Sequence, residues 1–342
     1  MHLTSFKKEF DILLEQHLNN KLSETKPYVF TNDLEQIYNF IIPYSQWWKR
    51  IRPYLVYLSY KLHGWDNDAL AFQTWIINEL IHLFALIHDD ITDEWTTRHN
   101  LPTYHLYNST FLQANESQWK NIALLVWDLI LARAYQHLST LSIGQQTTDL
   151  FHAMMHETVC GQIMDVYLSH SNQLFDSSII TKKDHAKSWR YTFKNPLLIW
   201  ASLLWEQSSP LLAQIGELLW LTYQMRDDLF DIINAHGDKT PFSDYQEWNQ
   251  TFLLTYAYEH ATESQKQYLL ETRWKPCDET TQQQLLAIYT ETGTIDRARQ
   301  EINRQLKQCN DLLDERQQTV PTHNSTYIPH FKEIISLLEL PQ

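Results

Sequence analysis

Glycine is scarce in this chain, with six among 342 residues. Alternating apolar and polar stretches, the pattern of half-buried strands, are equally hard to find. Together these absences argue against a sheet protein. Cysteine is also rare: Cys160, Cys277 and Cys309 are scattered, and none forms a C-x-x-C. That excludes a disulfide framework and a zinc site and fits a reducing, cytoplasmic setting. Positive charge is in deficit, with 27 Lys and Arg against 41 Asp and Glu, a net charge of −14 and a pI near 5.5. Nucleic-acid binding rests on cations meeting phosphates, so nucleic acid is not expected as a partner.

No uninterrupted apolar run reaches the ~20 residues of a membrane span. The best candidates are Leu70–His88, which carries Gln73, Asn78, Glu79 and His82, and the shorter Ile122–Tyr135, which holds Asp128. Both read as buried core helices, and no transmembrane segment is expected. The opening MHLTSFKKEFDILLEQ is charged and lacks the continuous apolar core of a signal peptide. A linker rich in Pro, Ser or Gly is missing too, so residues 1–342 are expected to form a single domain.

What is present is apolar periodicity at three- and four-residue intervals along nearly the whole chain, in a composition that is 43% hydrophobic. It predicts an all-α bundle. Helices are expected over Leu3–Asn19, Asn32–Ile42, Ile51–Leu62, Asp66–Asp93, Glu116–Ser139, Gly144–Leu168 and Lys182–Trp205. Further helices are expected over Leu211–Ile233, Glu247–His260, Glu263–Thr272, Glu279–Thr290, Thr294–Asp314 and near His330–Leu338.

Two of these helices end alike. The apolar run NELIHLFALIH delivers Asp89, Asp90 and Asp93, and LLWLTYQMR delivers Asp227, Asp228 and Asp231, both in the pattern D-D-x-x-D. Residues four apart share a helix face about 6 Å apart along the axis, so each cluster sets like charges side by side. One cluster alone reads as a solvated acidic helix end. Two of identical spacing call for a cation, and carboxylates are hard donors suited to magnesium, which keeps waters and takes its remaining ligands from substrate phosphates. Two facing carboxylate walls would bind a magnesium–diphosphate.

Cations that a diphosphate needs lie nearby. Lys49, Arg50 and Arg52 precede Pro53 where a helix begins. Arg98 follows Asp93 by five residues, His82 lies on the stripe of Asp89, and Lys194 enters an apolar run in YTFKNPLLIW. The plainer readings are that Lys49 and Arg50 are surface charges, that His82 is a core histidine and that Lys194 snorkels to solvent.

The motifs resemble those of the trans-isoprenyl diphosphate, or polyprenyl, synthases, which include farnesyl and geranylgeranyl diphosphate synthases. That family orders G-G-K-R-x-R-P, D-D-x-x-D with R-R-G-x-P-T, G-Q-x-x-D, K-T and Q-x-R-D-D-x-x-D. Here they stand as WWKRIRP (Trp47–Pro53), DDITDEWTTRHNLPT (Asp89–Thr103), GQIMD (Gly161–Asp165), KN (Lys194–Asn195) and QMRDDLFD (Gln224–Asp231). The late GTIDRARQEINRQLKQCNDLL is similar as well, so the likeness spans Lys49 to Leu313.

The resemblance implies an all-α isoprenoid-synthase bundle with a central cavity, a homodimer, and condensation of isopentenyl diphosphate with an allylic diphosphate. It implies Mg2+ held by Asp89, Asp93 and Asp227, with Asp90, Asp228 and Asp231 supporting directly or through water. Arg98, Lys194 and Lys239 would hold the allylic diphosphate. Lys49, Arg52, His82 and the residue at position 99 would hold isopentenyl diphosphate, while Gln162 and Gln224 would steady a carbocation. Phe84 and Ala85, five and four residues before Asp89, would floor the growing-chain pocket. A bulky residue beside a small one resembles synthases of short-to-medium products, farnesyl or geranylgeranyl.

The chain departs from the family at several points. Trp47–Trp48 replace the glycine pair, His99 and Asn100 replace the second arginine and glycine of R-R-G, Asn195 replaces the threonine after the lysine, and Asn249 replaces the lysine of G-K-x-T. An arginine stays charged, whereas a histidine near its reference pKa of ~6.5 is largely neutral at neutral pH. Weakened, pH-sensitive binding of isopentenyl diphosphate is expected. Three alternatives stay open: a catalytically weakened partner or regulatory subunit, a terpene cyclase, and a helical binding protein. The cyclase would need an N/D-x-x-S/T-x-x-x-E motif in place of DDLFD.

Overall fold

A computed structural model describes residues 1–342 except 47–48, 65–67, 99, 112, 114, 188–191, 193–196, 200–209, 234–240, 320–321 and 341–342. The chain divides into two compact units, Met1–Thr148 and Asp149–Gln342.

The first unit is built from α1 (Leu3–Ser23), α2 (Asn32–Asn39), α3 (Ile41–Ser45), α4 (Ile51–Leu62), α5 (Asp68–Thr92), α6 (Tyr104–Asn108) and α7 (Glu116–Thr140). Along α1, Phe6, Phe10, Leu14, Leu18 and Leu22 recur every four residues and are buried. One apolar stripe therefore seats the helix, each such side chain contributing about 1.5–3 kcal/mol on burial. Phe6 meets Tyr54 of α4 at 5.2 Å between ring centroids and Trp75 of α5 at 5.1 Å.

The α5 helix is apolar on most faces because it is central: every residue from Thr74 to Ile87 is buried, and so is Asp90. Among the described residues it is the one helix long and apolar enough to cross a membrane, with 83% of its most apolar window buried inside the protein. It runs antiparallel to α7, since His137 bonds the Gln73 carbonyl at 3.1 Å, the Phe84 ring packs at a tilt against Trp127, and Lys120 reaches Glu94 at 3.1 Å. Asn115 and Gln118 form a capping box that starts α7.

The second unit carries α8 (Gln145–Ser169, which begins in the first unit), α9 (Ser177–Asp184), α10 (Pro210–Ile233), α11 (Ser243–Gln246), α12 (Phe252–His260), α13 (Glu263–Thr272), α14 (Glu279–Glu291), α15 (Thr294–Thr319), α16 (Thr322–Ser325) and α17 (Ile328–Ser336). Its spine is α10 against α15, joined by Thr222 donating to Gln305 at 3.1 Å and by Cys309 beneath the Ile215 carbonyl.

The all-α reading holds, with local corrections. The expected helix Asn32–Ile42 breaks at Phe40 into α2 and α3. The expected Glu247–His260 starts only at Phe252, because Thr251 is a true N-cap whose side chain accepts from the Leu254 N–H at 3.2 Å. Short α6 and a two-residue antiparallel ladder, Thr97–Arg98 with Leu101–Pro102, fall below the length that periodicity detects. In Lys182–Trp205 the chain passes from α9 into a π-helical turn at residues 185–187, and most of residues 188–205 lie outside the described residues.

Candidate active site

Asp89 and Asp93 are half-buried, and the Asp93 N–H donates to the Asp89 carbonyl at 2.8 Å. Helical geometry thus persists past the end of α5 and holds both carboxylates on one face. Asp90 points the other way and is fully buried. It accepts from Arg98 Nε at 2.7 Å, lies 2.5 Å from Arg98 Nη2, and accepts a short hydrogen bond from the Tyr44 hydroxyl. Burial opposes the guanidinium's charge, but Asp90 outweighs it and raises the pKa of Arg98 above the ordinary arginine value. Arg98 is thereby fixed beside the cluster, its charge assured for an anion. Burial pushes His88, next to Asp89, down to about 4, so its imidazole is neutral at neutral pH.

The strand pair places Arg98 opposite Leu101 across a two-residue turn. Such turns need a positive φ, and Asn100 supplies it at φ 63°. Asparagine tolerates this region better than other non-glycine residues, so the replacement of the family's glycine leaves the turn intact. His99 lies outside the described residues.

At the start of α4, neighbouring cations have different fates. Arg50 sits at φ 55° with its side chain 1% exposed, bonded to Asp11 at 2.6 Å, Glu79 at 2.6 Å and the Ser45 carbonyl at 2.6 Å. It is a buried anchor, which corrects the reading of it as a surface charge. Lys49 is exposed, and Arg52 is half-buried. Arg52 Nη1 meets buried His82 Nε2 at 3.1 Å. Because a guanidinium only donates, His82 accepts at Nε2 and carries its proton on Nδ1. Trp47 and Trp48 lie outside the described residues.

In the second unit Asp227 is half-buried on α10, while Asp228 and Asp231 are buried. Asp231 accepts from the Ser243 N–H at 3.0 Å, the Ser243 hydroxyl at 2.6 Å and the Asp244 N–H at 3.3 Å, and so caps α11. Gln224 donates to Asp228 at 2.7 Å. Burial, then Asp244, Asp184 and Asp227, push the Asp228 carboxyl well above the usual range. Asn249, where the family has lysine, lines a void of about 10 Å3 with Asp228, Asp231 and Asp244, and its side-chain oxygen finds no partner among the described residues. A lysine there would set an ammonium among these acids, whereas asparagine brings no charge to offset them. Gln224 and Asp228 also line a larger cavity of about 200 Å3 with Trp220, Phe252, Arg297 and Gln305.

Gly161 and Gln162 lie on α8. A Cβ at Gly161 would come 2.1 Å from the Lys187 nitrogen, so only glycine admits the crossing segment. That crossing delivers Lys187 to buried Asp165 at 2.6 Å, beside Lys183 at 3.0 Å. Burial would raise Asp165, but the two ammoniums outweigh it and hold its carboxyl far below the usual range. Gln162 is buried next to this crossing. The lysine pair is not among the sequence candidates, although its four-residue spacing marks a shared face. Tyr44 gives no local signal, being 46 residues from Asp90. Lys194, Asn195 and Lys239 lie outside the described residues.

Each unit by itself offers donors of a kind that fits magnesium: Asp89 and Asp93 give hard oxygens one turn apart in the first, and Asp227 gives another from a half-buried position in the second.

The family described as Polyprenyl synthetase matches residues 35–291. A short chain isoprenyl diphosphate synthase of Methanocaldococcus jannaschii is 27% identical over 230 residues, covering 65% of this chain and 66% of that protein. A geranylgeranyl diphosphate synthase of Saccharolobus solfataricus is 25% identical over 233 residues, covering 66% and 67%. The chain thus aligns with about two thirds of the length of these curated relatives. A crystal structure of geranylgeranyl pyrophosphate synthase from Corynebacterium glutamicum, complexed with isoprenyl diphosphate and magnesium, superposes with a TM-score of 0.80 at 20% identity. That superposition covers 96% of this chain and 98% of that one, and establishes the shared all-α fold.

Proposed function

The chain belongs to the polyprenyl synthetase family, and from that premise we propose that it condenses isopentenyl diphosphate with dimethylallyl, geranyl or farnesyl diphosphate. The product is a trans-prenyl diphosphate of short-to-medium length, farnesyl or geranylgeranyl. The observation that carries this reading is the contact of Arg52 with His82, 30 residues apart and at motif positions that converge only in the fold.

Asp89, Asp93 and Asp227 would hold magnesium, with Asp90, Asp228 and Asp231 supporting directly or through water. Bound magnesium supplies charge stabilisation for the departing diphosphate. Arg98, positioned by Asp90, would neutralise the same charge, Lys194 and Lys239 would share that role, and the allylic carbon–oxygen bond breaks heterolytically. Lys49, Arg52, His82 and His99 orient isopentenyl diphosphate. Its double bond attacks the allylic cation, and a proton leaves to the released diphosphate, so no nucleophilic side chain is needed. Gln162 and Gln224 turn carbonyl dipoles toward the cation. The level of Phe84 and Ala85 on α5 sets product length.

Residues 1–342 act as one catalytic domain in a homodimer in a reducing cytoplasm. Supporting the homodimer is a stripe on α7, in which Leu125 (66% exposed) and Tyr135 (39% exposed) are spaced with exposed Asn121, Asp128 and Ala132 at three- and four-residue intervals. Free Cys160, Cys277 and Cys309 support the reducing setting.

The test is incubation with labelled isopentenyl diphosphate, each allylic diphosphate in turn and magnesium, with products resolved by length. Linear elongation is expected. Cyclised hydrocarbon would instead indicate a cyclase, and no product would indicate a partner-dependent subunit.

A further inference from the structure

The first aspartate cluster has a neighbour that the chemistry above does not use. Tyr44, on short α3 (Ile41–Ser45), donates its hydroxyl to Oδ2 of Asp90, 46 residues further on. A phenol keeps its proton at neutral pH, so the hydroxyl donates and the carboxylate accepts. The other oxygen, Oδ1, takes the Nε edge of Arg98, with Nε at 2.7 Å and Nη2 at 2.5 Å. Both oxygens of a fully buried carboxylate are thereby engaged, one by each neighbour.

The tyrosine is held as firmly as the carboxylate. Its ring is buried against Phe40 at 5.8 Å and stands edge-on to Tyr104 at 5.7 Å and 77°. Tyr104 is pinned in turn, because its own hydroxyl donates to the Ile37 carbonyl. Ser45, the next residue, gives its carbonyl to Arg50 at 2.6 Å, so the end of α3 is tied down as well. A ring packed in this way has one place for its hydroxyl, and Asp90 lies there. Arg98 is different: it is half-buried, and its guanidinium lies 5.6 Å from the Trp95 ring centroid, with Nη1 outside the Asp90 contacts. A guanidinium carries five N–H donors in a rigid plane. With the Nε edge committed to Asp90, the tilt of that plane follows the carboxylate, and the Nη1 end is the one that meets an anion.

We propose that Tyr44 is a positioning residue for the allylic diphosphate, acting through Asp90 on Arg98. This rests on the prenyl-transfer reading and adds to it a residue outside every motif of the sequence. A carboxylate bonded on one side only can rotate about its Cβ–Cγ bond, and the guanidinium edge turns with it. Tyr44 removes that freedom before substrate arrives, so the donors are already aimed when the diphosphate binds and departs.

Tyr44→Phe removes the hydroxyl and keeps the ring between Phe40 and Tyr104. Steady-state kinetics are compared for the wild type, Tyr44→Phe, Arg98→Lys and the Tyr44→Phe/Arg98→Lys double variant, with melting temperatures measured alongside. Lysine keeps the charge beside Asp90 but has no plane to orient, so the hydroxyl should matter little in that background. Tyr44→Phe alone should raise the Michaelis constant for the allylic diphosphate by about 10-fold and leave that for isopentenyl diphosphate within about 2-fold. Added to Arg98→Lys, it should change the allylic constant by less than about 2-fold. An unchanged allylic constant in Tyr44→Phe, or an equal rise in both backgrounds, overturns the assignment while leaving the prenyl-transfer reading intact. Equal rises of both Michaelis constants with a lowered melting temperature also overturn it, since the hydroxyl would then serve the fold alone. A wild-type chain that forms no prenyl product overturns that reading and this assignment with it.

Discussion

Lys49 and Arg50 are adjacent and read alike in the sequence, yet one is exposed and the other is among the most buried charges of the first unit. Local pattern cannot separate them, because what buries Arg50 is Asp11 and Glu79, 39 and 29 residues away. Breaking this set leaves Glu79, 2% exposed, without its partner. Arg50→Ala should destabilise the protein by about 3–5 kcal/mol, read as a lower midpoint in urea unfolding; a loss under ~1 kcal/mol would contradict an anchoring role. The candidate metal ligands are more legible, since a four-residue spacing fixes a shared helix face whatever surrounds it. What the spacing cannot convey is that Asp90 and Asp231 hold Arg98 and the start of α11 through bonds made elsewhere in the chain. Departures from the family pattern also differ in weight. Asn100 keeps the geometry its glycine would give, while His99 changes charge. His99→Arg should lower the Michaelis constant for isopentenyl diphosphate, most at pH above ~6.5, where histidine loses its proton. An unchanged constant on both sides of that pH would rule the proposed role out.

At the scale of elements, long helices are readable because apolar periodicity survives over many turns, as in α5, α7 and α10. Their breaks are not. Thr251 as a cap and Phe40 as a junction are one-residue decisions inside otherwise periodic runs. Trp248, fully buried at φ 57°, shows how tertiary packing overrides local preference: a left-handed residue costs about 1–2 kcal/mol, less than the roughly 3 kcal/mol or more gained by burying an indole. Gly161 belongs to the same scale, since its motif signals importance without the reason. Its missing Cβ lets the segment with Lys187 cross α8. Gly161→Ala should lower the melting temperature by about 5 °C or more and reduce activity together with it, as Lys187 withdraws from Asp165. A variant of unchanged stability would show that the crossing can relax.

At the scale of the whole molecule, charge linkage makes a prediction about pH. His17 of α1 packs edge-on to His137 of α7 at 4.6 Å, and burial first, then His137, pushes its pKa down to about 4. A base whose folded pKa lies below its unfolded value protonates first in the unfolded chain, so stability is full above ~6.5 and falls as pH drops toward ~4. The ring is partly solvated, so the effect is about 1 kcal/mol. Melting temperatures of the wild type should fall across that interval more steeply than those of His17→Gln, and parallel curves would contradict the assignment. Composition makes the fold class legible, since few glycines and unbroken three- and four-residue periodicity leave little but helix. Division into two compact units is not legible, because α8 carries the chain across the boundary without a change of composition.

The central claim is that the aspartate clusters make this chain a magnesium-dependent prenyltransferase. The most direct measurement is the rate of labelled isopentenyl diphosphate incorporation with and without magnesium, in the wild type and in Asp89→Asn and Asp227→Asn. The account predicts linear prenyl diphosphate from the wild type only with magnesium, and a loss of about 10^2-fold or more in each variant with the fold unchanged. Metal-independent incorporation, or variants as active as the wild type, would contradict it.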